Sequence, residues 1–190
     1  MPDRAELLAS VCALIAANDI DSARLSLFEQ YPYPTSSTRR KPWSFKRLVA
    51  IYVRDGFTDR YFGARLVFPG TLRALSLLIT DAFPYHPNWK QSETHPAFWE
   101  LYPTIDHVIP VARGGVDDES NIVTTSMLRN SAKANWLLEE IGWPSKLAPA
   151  VAGWDGLLPW FMSAWETHTL LRQDNALQSW YRAAHDLVAD

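Results

Sequence analysis

The sequence predicts an α+β protein in which a strand–loop–strand–helix unit in residues 104–136 is flanked by helices on both sides. Two runs rich in β-branched residues, TIDHVI and NIVTT, are typical of short strands. Between them, VARGGVDDES has the glycines and acidic residues of a surface loop. Apolar residues recur with a helical period in residues 3–17, in residues 43–54 and after residue 142, which predicts the flanking helices.

Side chains suited to chemistry follow one another in order through this unit. Asp106 and His107 are adjacent in the first strand, where alternation sends them to opposite faces unless the strand ends or bends there. Pro110 cannot donate to a ladder, which places the bend just after the pair. Asn121 stands at the start of the second strand, and Asn130 lies in the helix that follows. This order predicts one small cleft that gathers a carboxylate, an imidazole and a carboxamide.

The helix of this unit is predicted to begin near residue 126. Thr125 or Ser126 is a suitable N-cap, and Gly142 supplies a stop signal. Asn130 and Lys133 are three residues apart, so they share one side of the predicted helix.

Several spaced residues of the unit resemble the HNH endonuclease motif of the ββα-metal, or His-Me finger, nucleases. DHVIP carries the first His of that motif, Asn121 the middle Asn, and Asn130 the last position, which is His or Asn in the family. The RGG and RNSAK runs are also similar to the family pattern. The resemblance covers residues 104–136, and the rest of the chain supports it only through composition.

The resemblance implies an enzyme that hydrolyses DNA to 5′-phosphate and 3′-hydroxyl ends with a divalent cation. Mg²⁺ is the cation we expect, with Mn²⁺ or another divalent cation as the alternative. His107 is the implied general base, because a neutral imidazole takes a water proton near neutral pH. Asp106 and the side-chain oxygen of Asn130 are the implied cation ligands, since hard cations prefer oxygen. Asn121 is expected to fasten the loop and hold the backbone around His107.

The distribution of charge supports a nucleic-acid partner better than the net charge of −3 does. Nine basic residues face two acidic ones in residues 39–73, whereas seven acidic residues face three basic ones after residue 136. A basic face would attract phosphate without regard to sequence. The alternative is that these are scattered, solvated charges. The candidates for contact with DNA are Arg39, Arg40, Lys41, Arg113 and Lys133.

Many members of the family brace this hairpin with a zinc ion held by two Cys-x-x-Cys pairs. The corresponding positions here hold Asp59, Phe62, Ser126 and Arg129. The one cysteine of the chain, Cys12, lies in a predicted helix and is expected to be a small core residue. We therefore expect no structural zinc.

Residues 56–69 take the place of the family's upstream zinc knuckle. We predict a β-hairpin that turns near Gly63. Apolar packing must hold this segment in the absence of thiols. The side chains available for it are Phe57, Tyr61, Phe62, Leu66 and Phe68.

Residues 84–96 contain two His-Pro pairs and show no regular period. One interpretation is a loop along the cleft that contacts substrate through His86, Lys90 or His95. The other, which we favour, is a proline-stiffened strap that packs Trp89 and Trp99 over the hairpin.

The 190-residue chain is expected to form one compact unit with three parts. These are a helical addition at residues 1–38, a nuclease core with the basic helix and the knuckle at residues 39–143, and a second helical addition at residues 144–190. Hydrophobic residues make up 47% of the chain, which is typical of a globular protein. The aromatic-rich terminal helices are expected to pack as core, with an interface in a homo-oligomer as the alternative.

The sequence predicts a cytoplasmic protein that does not enter a membrane. Its apolar runs are too short to span a bilayer, and Asp3, Arg4 and Glu6 precede the first apolar helix, unlike a signal peptide. A single cysteine gives no disulfide framework.

The function predicted from these observations is that of a metal-dependent HNH endonuclease acting on DNA. The alternative from another class is a non-catalytic module that binds nucleic acid or protein through the same hairpin. An RNA-directed nuclease would differ only in its substrate, and nothing in the sequence separates ribose from deoxyribose.

Overall fold

The computed structural model describes residues 3–32 and 42–189. The chain divides into two compact units, Met1–Thr38 and Arg39–Asp190. Over the described residues the fold is α+β, as the sequence predicts, with eight α-helices and one two-stranded antiparallel sheet. None of the helices in these two stretches combines the length and the apolar character that a membrane crossing requires.

The first unit contains two helices, α1 (Arg4–Ala16) and α2 (Ile20–Gln30), which pack on each other. Val11 is the residue that α1 buries. The next position, Cys12, is exposed, because successive side chains on a helix point about 100° apart. The expectation that Cys12 is a small core residue is therefore wrong.

Six helices belong to the second unit, and the longer ones enclose its main core. They are α3 (Phe45–Arg54), α4 (Pro69–Leu78), α5 (Ala97–Glu100), α6 (Met127–Lys133), α7 (Leu158–Thr167) and α8 (Asn175–Ala189). Helix α3 packs on α8, and α4 packs on α7 and α8. The ring of Phe68 lies 5.2 Å from that of Phe161 and 5.6 Å from that of Trp180. Burial of Phe161, Trp165 and Trp180 confirms that these C-terminal aromatic residues are core, while Trp160 is exposed.

The two predicted strands form an antiparallel pair, β1 (Pro103–His107) and β2 (Ile122–Ser126). Asp106 is opposite Val123 in this register. The strand β1 ends at the next residue, His107, before the bend predicted at Pro110. Ser126 ends β2 and caps α6, since its hydroxyl accepts a hydrogen bond from the backbone N–H of Arg129 at 3.2 Å. The strand–loop–strand–helix order predicted from the sequence is thus present.

Helix α6 ends at Lys133, which is earlier than the Gly142 stop predicted from the sequence. Ala134 has φ 46° and ψ −124°, and the N–H of Trp136 donates to the carbonyl of Lys133 at 3.0 Å. These values describe a type II′ turn, in which Gly is preferred at the position that Ala134 holds. Gly142 instead ends a separate 3₁₀ turn, Leu138–Ile141.

The knuckle at residues 56–69 is more irregular than the predicted hairpin. A single antiparallel bridge joins Thr58 and Arg65, and the N–H of Arg60 donates to the carbonyl of Thr124 in β2. The apolar packing predicted for this segment is confirmed by four of its five side chains, whereas Phe62 is 46% exposed. The four buried side chains are Phe57, Tyr61, Leu66 and Phe68.

The backbone strain at Ala134, in the turn after α6, can be tested by substitution. We expect Ala134→Gly to raise the free energy of unfolding by about 1 kcal/mol, because Gly adopts this positive φ without the Cβ clash. Chemical denaturation measures the change. Ala132→Gly is the matched control in the exposed helical turn before it, and it should lower stability by about 0.5–1 kcal/mol. Equal losses from both substitutions would contradict the strain assigned to Ala134.

Candidate functional site

The outer edge of β2 is satisfied by the end of α3 and by the knuckle rather than by a third strand. The buried carboxylate of Asp55 accepts from the N–H of Thr124 at 2.8 Å. The backbone N–H of Arg60 donates to the Thr124 carbonyl at 2.9 Å, and the Arg54 guanidinium donates to the Ile122 carbonyl at 2.7 Å. These bonds fix the hairpin that carries the candidate site, since unpaired buried backbone groups would be costly.

Asn121 fastens the loop between the strands through both ends of its buried amide. Its Oδ1 accepts from the N–H of Ile109 at 2.9 Å. Its Nδ2 donates to the carbonyls of Ile109 at 2.8 Å and Val116 at 2.9 Å. Gly115 is needed at this crossing, because a Cβ there would lie 1.9 Å from the Ile109 carbonyl oxygen. The contacts are those of the scaffold role that the sequence assigns to Asn121.

His107 is buried at the end of β1, and its ring is held by an acidic residue of the loop. The Nε2 of His107 lies 2.7 Å from Oδ1 of Asp117. The carbonyl of His107 accepts from the Lys133 ammonium at 2.8 Å. Sequence reasoning missed Asp117, because VDDES indicated only a solvated loop and did not show which acid turns back to the strand.

Asp106 is engaged through one of its two carboxylate oxygens. Oδ2 accepts from the Tyr61 hydroxyl at 2.6 Å and lies 2.9 Å from the Lys133 ammonium. Burial raises the pKa of Tyr61 well above its usual range, and the neighbouring Asp106 carboxylate raises it further, so the phenol keeps its proton and donates. The Tyr61 hydroxyl and the Lys133 ammonium therefore contact the same oxygen of Asp106, Oδ2, and not Oδ1.

Asn130 reaches β1 from α6, on the same side of the helix as Lys133. Its Nδ2 donates to the Ile105 carbonyl at 3.0 Å and to the Thr104 hydroxyl at 3.1 Å. A carbonyl can only accept, so the nitrogen must face it, and the amide oxygen of Asn130 points away from these two partners. Asn130 is therefore held by the backbone of Ile105, the residue before Asp106 in β1.

One predicted phosphate contact is wrong, and another stays a prediction. The Lys133 side chain is completely buried, and its ammonium contacts Asp106 and the His107 carbonyl, so it is not at the surface to meet phosphate. Arg113 is partly exposed, and its guanidinium pairs with the Glu140 carboxylate at 2.7 Å.

The predicted basic face is also changed by pairing. Arg39, Arg40 and Lys41 lie outside the described residues. Four arginines of the same run have acidic partners within 3.2 Å, and two of these partners, Glu119 and Asp174, lie outside the run and add to its acidic residues. The pairs are Arg47 with Glu119, Arg54 and Arg60 with Asp55, and Arg73 with Asp174.

The four positions where the family's zinc-binding thiols would fall are joined here by other contacts. Asp59 is fully buried, and its carboxylate pairs with the Arg129 guanidinium and accepts from the Thr125 hydroxyl at 2.9 Å. The same guanidinium lies 4.9 Å from the centre of the Phe62 ring, and the N–H of Arg129 is capped by Ser126. An ion pair, a cation–π contact and a helix cap thus connect the knuckle to α6.

Residues 84–96 pack through Trp89, and the aromatic contacts of Trp89 are with the segment just before β1. The Trp89 ring lies 5.8 Å from Phe98, 5.9 Å from Trp99 and 5.0 Å from Tyr102, which leads directly into β1. The polar side chains named for the alternative role have partners within the strap or near it. The Lys90 ammonium pairs with Glu93 at 3.1 Å, and His95 stacks on Phe83.

Asp106 and Asn130 each carry a side-chain oxygen, Oδ1, of the kind that hard cations such as Mg²⁺ prefer. Within residues 3–32 and 42–189, no group of three or more His, Cys, Asp or Glu side chains is arranged to hold a metal ion.

Comparisons with protein-family models, with curated proteins and with solved structures found no match to this chain. The resemblance to the HNH nucleases therefore rests on the motif residues alone. Its central feature is that Asp106, His107, Asn121 and Asn130 all belong to, or bond directly to, the hairpin and its loop.

The contribution of the buried Lys133–Asp106 ion pair to stability can be tested by substitution. We expect Lys133→Met to lower the free energy of unfolding by about 3–5 kcal/mol, because it leaves the Asp106 carboxylate buried without its cation. Adding Asp106→Asn should recover part of that loss, since the remaining amide is neutral. Chemical denaturation of Lys133→Met, Asp106→Asn and the double variant measures this coupling.

Lys146→Met is the matched control for this pair, because Lys146 is exposed. Its effect should stay within about 0.5 kcal/mol. Additive losses from Lys133→Met and Asp106→Asn would contradict the ion pair.

Proposed function

We propose that this protein is a metal-dependent endonuclease of the HNH type that hydrolyses phosphodiester bonds of DNA. The observation that supports this most is the convergence on one short strand of a buried imidazole, a carboxylate and a carboxamide in the order of the family motif. Asn121 supports the same proposal, because its three hydrogen bonds fasten the loop beside His107.

In this proposal His107 is the general base. A general base must be held within hydrogen-bond reach of the water that it activates. The contacts of His107 with Asp117 and Lys133 restrain both its ring and its backbone, which suits that task. Asn121 is a positioning residue that acts through the loop.

Asp106 and Asn130 are the residues that would hold the divalent cation. When bound, such a cation offsets negative charge on the scissile phosphate as a Lewis acid. The Tyr61 hydroxyl and the Lys133 ammonium fix the carboxylate of Asp106 through Oδ2. Asp106 is therefore suited to bind through Oδ1 alone.

A second candidate function is a non-catalytic module that binds nucleic acid or protein through the same hairpin. The observation that favours it is the Lys133 ammonium, 2.9 Å from the Asp106 carboxylate, which offsets the negative charge that would attract a cation. The paired arginines of the basic run favour it too, because they weaken the attraction for phosphate.

A plasmid-nicking assay separates the two candidates. The parent protein should convert supercoiled plasmid to nicked or linear DNA in Mg²⁺ or Mn²⁺, and a chelator should stop the reaction. We expect His107→Ala to cut at least about 100-fold more slowly, which is the usual range for the loss of a general base. Rates are measured from the loss of supercoiled DNA under single-turnover conditions.

His185→Ala is the matched control, because it removes an exposed imidazole from α8 and should cut like the parent. Purifying the three proteins in parallel excludes a contaminating nuclease. Equal cutting by His107→Ala and the parent would overturn the assigned base. A parent protein that binds duplex DNA in Mg²⁺ and Mn²⁺ without cutting it would favour the binding module.

A further inference from the structure

The short contact between His107 and Asp117 has a consequence for which ring nitrogen can react. The Nε2 of His107 lies 2.7 Å from Oδ1 of Asp117. We infer that Asp117 is a positioning residue that fixes the His107 imidazole in one tautomer, with the proton on Nε2 and a bare Nδ1. This inference deepens the proposed function and rests on it for the chemical step alone.

The tautomer follows from the chemistry of the two partners. An ionised carboxylate can only accept hydrogen bonds, and a neutral imidazole has one N–H and one bare nitrogen. The nitrogen that faces Asp117 must therefore carry the proton. The second nitrogen, Nδ1, is left as the acceptor, which is the form that a general base requires.

The backbone brings the two partners together through Asn121. The carbonyl of Asn121 accepts from the N–H of Val108 at 2.8 Å, next to His107. The side-chain Nδ2 of Asn121 donates to the Val116 carbonyl at 2.9 Å, next to Asp117. One residue therefore clamps the chain beside both members of the pair.

The loop is also fixed on the other side of Asp117. The carboxylate of Asp118 accepts from the N–H of Ser120 at 2.8 Å, which caps the short 3₁₀ turn Glu119–Asn121. The His107 side chain is only 9% exposed, whereas that of Asp117 is 39% exposed. A largely buried ring thus meets a carboxylate whose loop is held before and after the contact, so the ring cannot turn over without breaking it.

The chemical step balances with this tautomer. Nδ1 takes a proton from water as the water O–H bond breaks, and the oxygen lone pair forms a new bond to phosphorus. The bond from phosphorus to the leaving O3′ breaks with its electron pair on O3′, which takes a proton from solvent. The Nε2–H bond to Asp117 is kept throughout, and it stabilises the imidazolium that forms. The imidazolium then releases its added proton to solvent.

Nuclear magnetic resonance reads the tautomer directly in the full-length protein. Long-range proton–nitrogen spectra of protein labelled with ¹⁵N-histidine, recorded where the ring is neutral, distinguish a protonated from a bare ring nitrogen. The His107 signals are assigned by their loss in His107→Ala. We expect a bare Nδ1 in the parent, and a mixture of tautomers in Asp117→Ala, where Nε2–H has lost its acceptor.

Asp118→Asn is the matched control, because it removes a negative charge from the same loop and keeps an oxygen for Ser120. Its His107 signals should match those of the parent. A proton on Nδ1 in the parent would overturn the inference. Parent-like His107 signals in Asp117→Ala would overturn it too.

Steady-state kinetics separate an effect of Asp117 on the chemical step from a general effect on folding or substrate binding. With Mg²⁺ or Mn²⁺ and plasmid substrate, we expect Asp117→Ala to lower kcat by about 10–100-fold with little change in KM, as for the loss of other orienting groups. Asp118→Asn should retain the parental kcat. An unchanged kcat in Asp117→Ala would overturn the positioning role.

The inference and the proposed function fail in different ways. A parent protein that does not nick DNA defeats the proposed function, while the ring-nitrogen spectra still decide whether Asp117 sets the tautomer. A parent protein that nicks DNA with its His107 proton on Nδ1 keeps the proposed function and defeats the inference.

Discussion

The Lys133 ammonium lies wholly buried between helix α6 and strand β1, where it contacts the Asp106 carboxylate and the His107 carbonyl. Burying a charge costs several kcal/mol in typical proteins unless partners replace its hydration. Here the Tyr61 hydroxyl shares the same carboxylate oxygen, so the knuckle, the strand and the helix meet at one atom of Asp106. The positions of Asp106 and His107 therefore depend on this ion pair.

The hairpin needs that support because two strands alone are marginally stable in water. The Asp55 carboxylate at the end of α3 and the Arg60 backbone in the knuckle cover the open edge of β2. The knuckle also ties α6 to the sheet, because the Asp59 carboxylate contacts both Arg129 and Thr125. Asp59 and Arg129 stand at two of the four positions where the HNH motif would place zinc-binding thiols. The pairing of Arg54, Arg60 and Arg129 with buried carboxylates makes these arginines part of what holds the hairpin.

The sequence predicted the strands, the start of α6 and the order of Asp106, His107, Asn121 and Asn130, because these follow from local pattern and motif spacing. It did not predict that α6 ends at Lys133, since Ala134 stands where a type II′ turn usually has Gly. Side-chain partners distant in sequence were also missed.

The misses at the site have a common cause. Nothing local marks Asp117 rather than its acidic neighbours as the partner of His107. The burial of Lys133 likewise depends on a carboxylate 27 residues earlier, at Asp106. Which charged side chains pair over long sequence distances depends on the tertiary structure. A single sequence therefore gives the number of charged residues but not their ion-pair partners.

We propose that Asp106 and Asn130 hold a divalent cation beside His107. The most direct test is the anomalous difference map of a crystal of His107→Ala grown with Mn²⁺ and a short DNA duplex. We predict a peak bonded to one oxygen of Asp106 and to the side-chain oxygen of Asn130, next to a backbone phosphate. A duplex bound with no peak at these two residues, or with the ion held by other side chains, would contradict it.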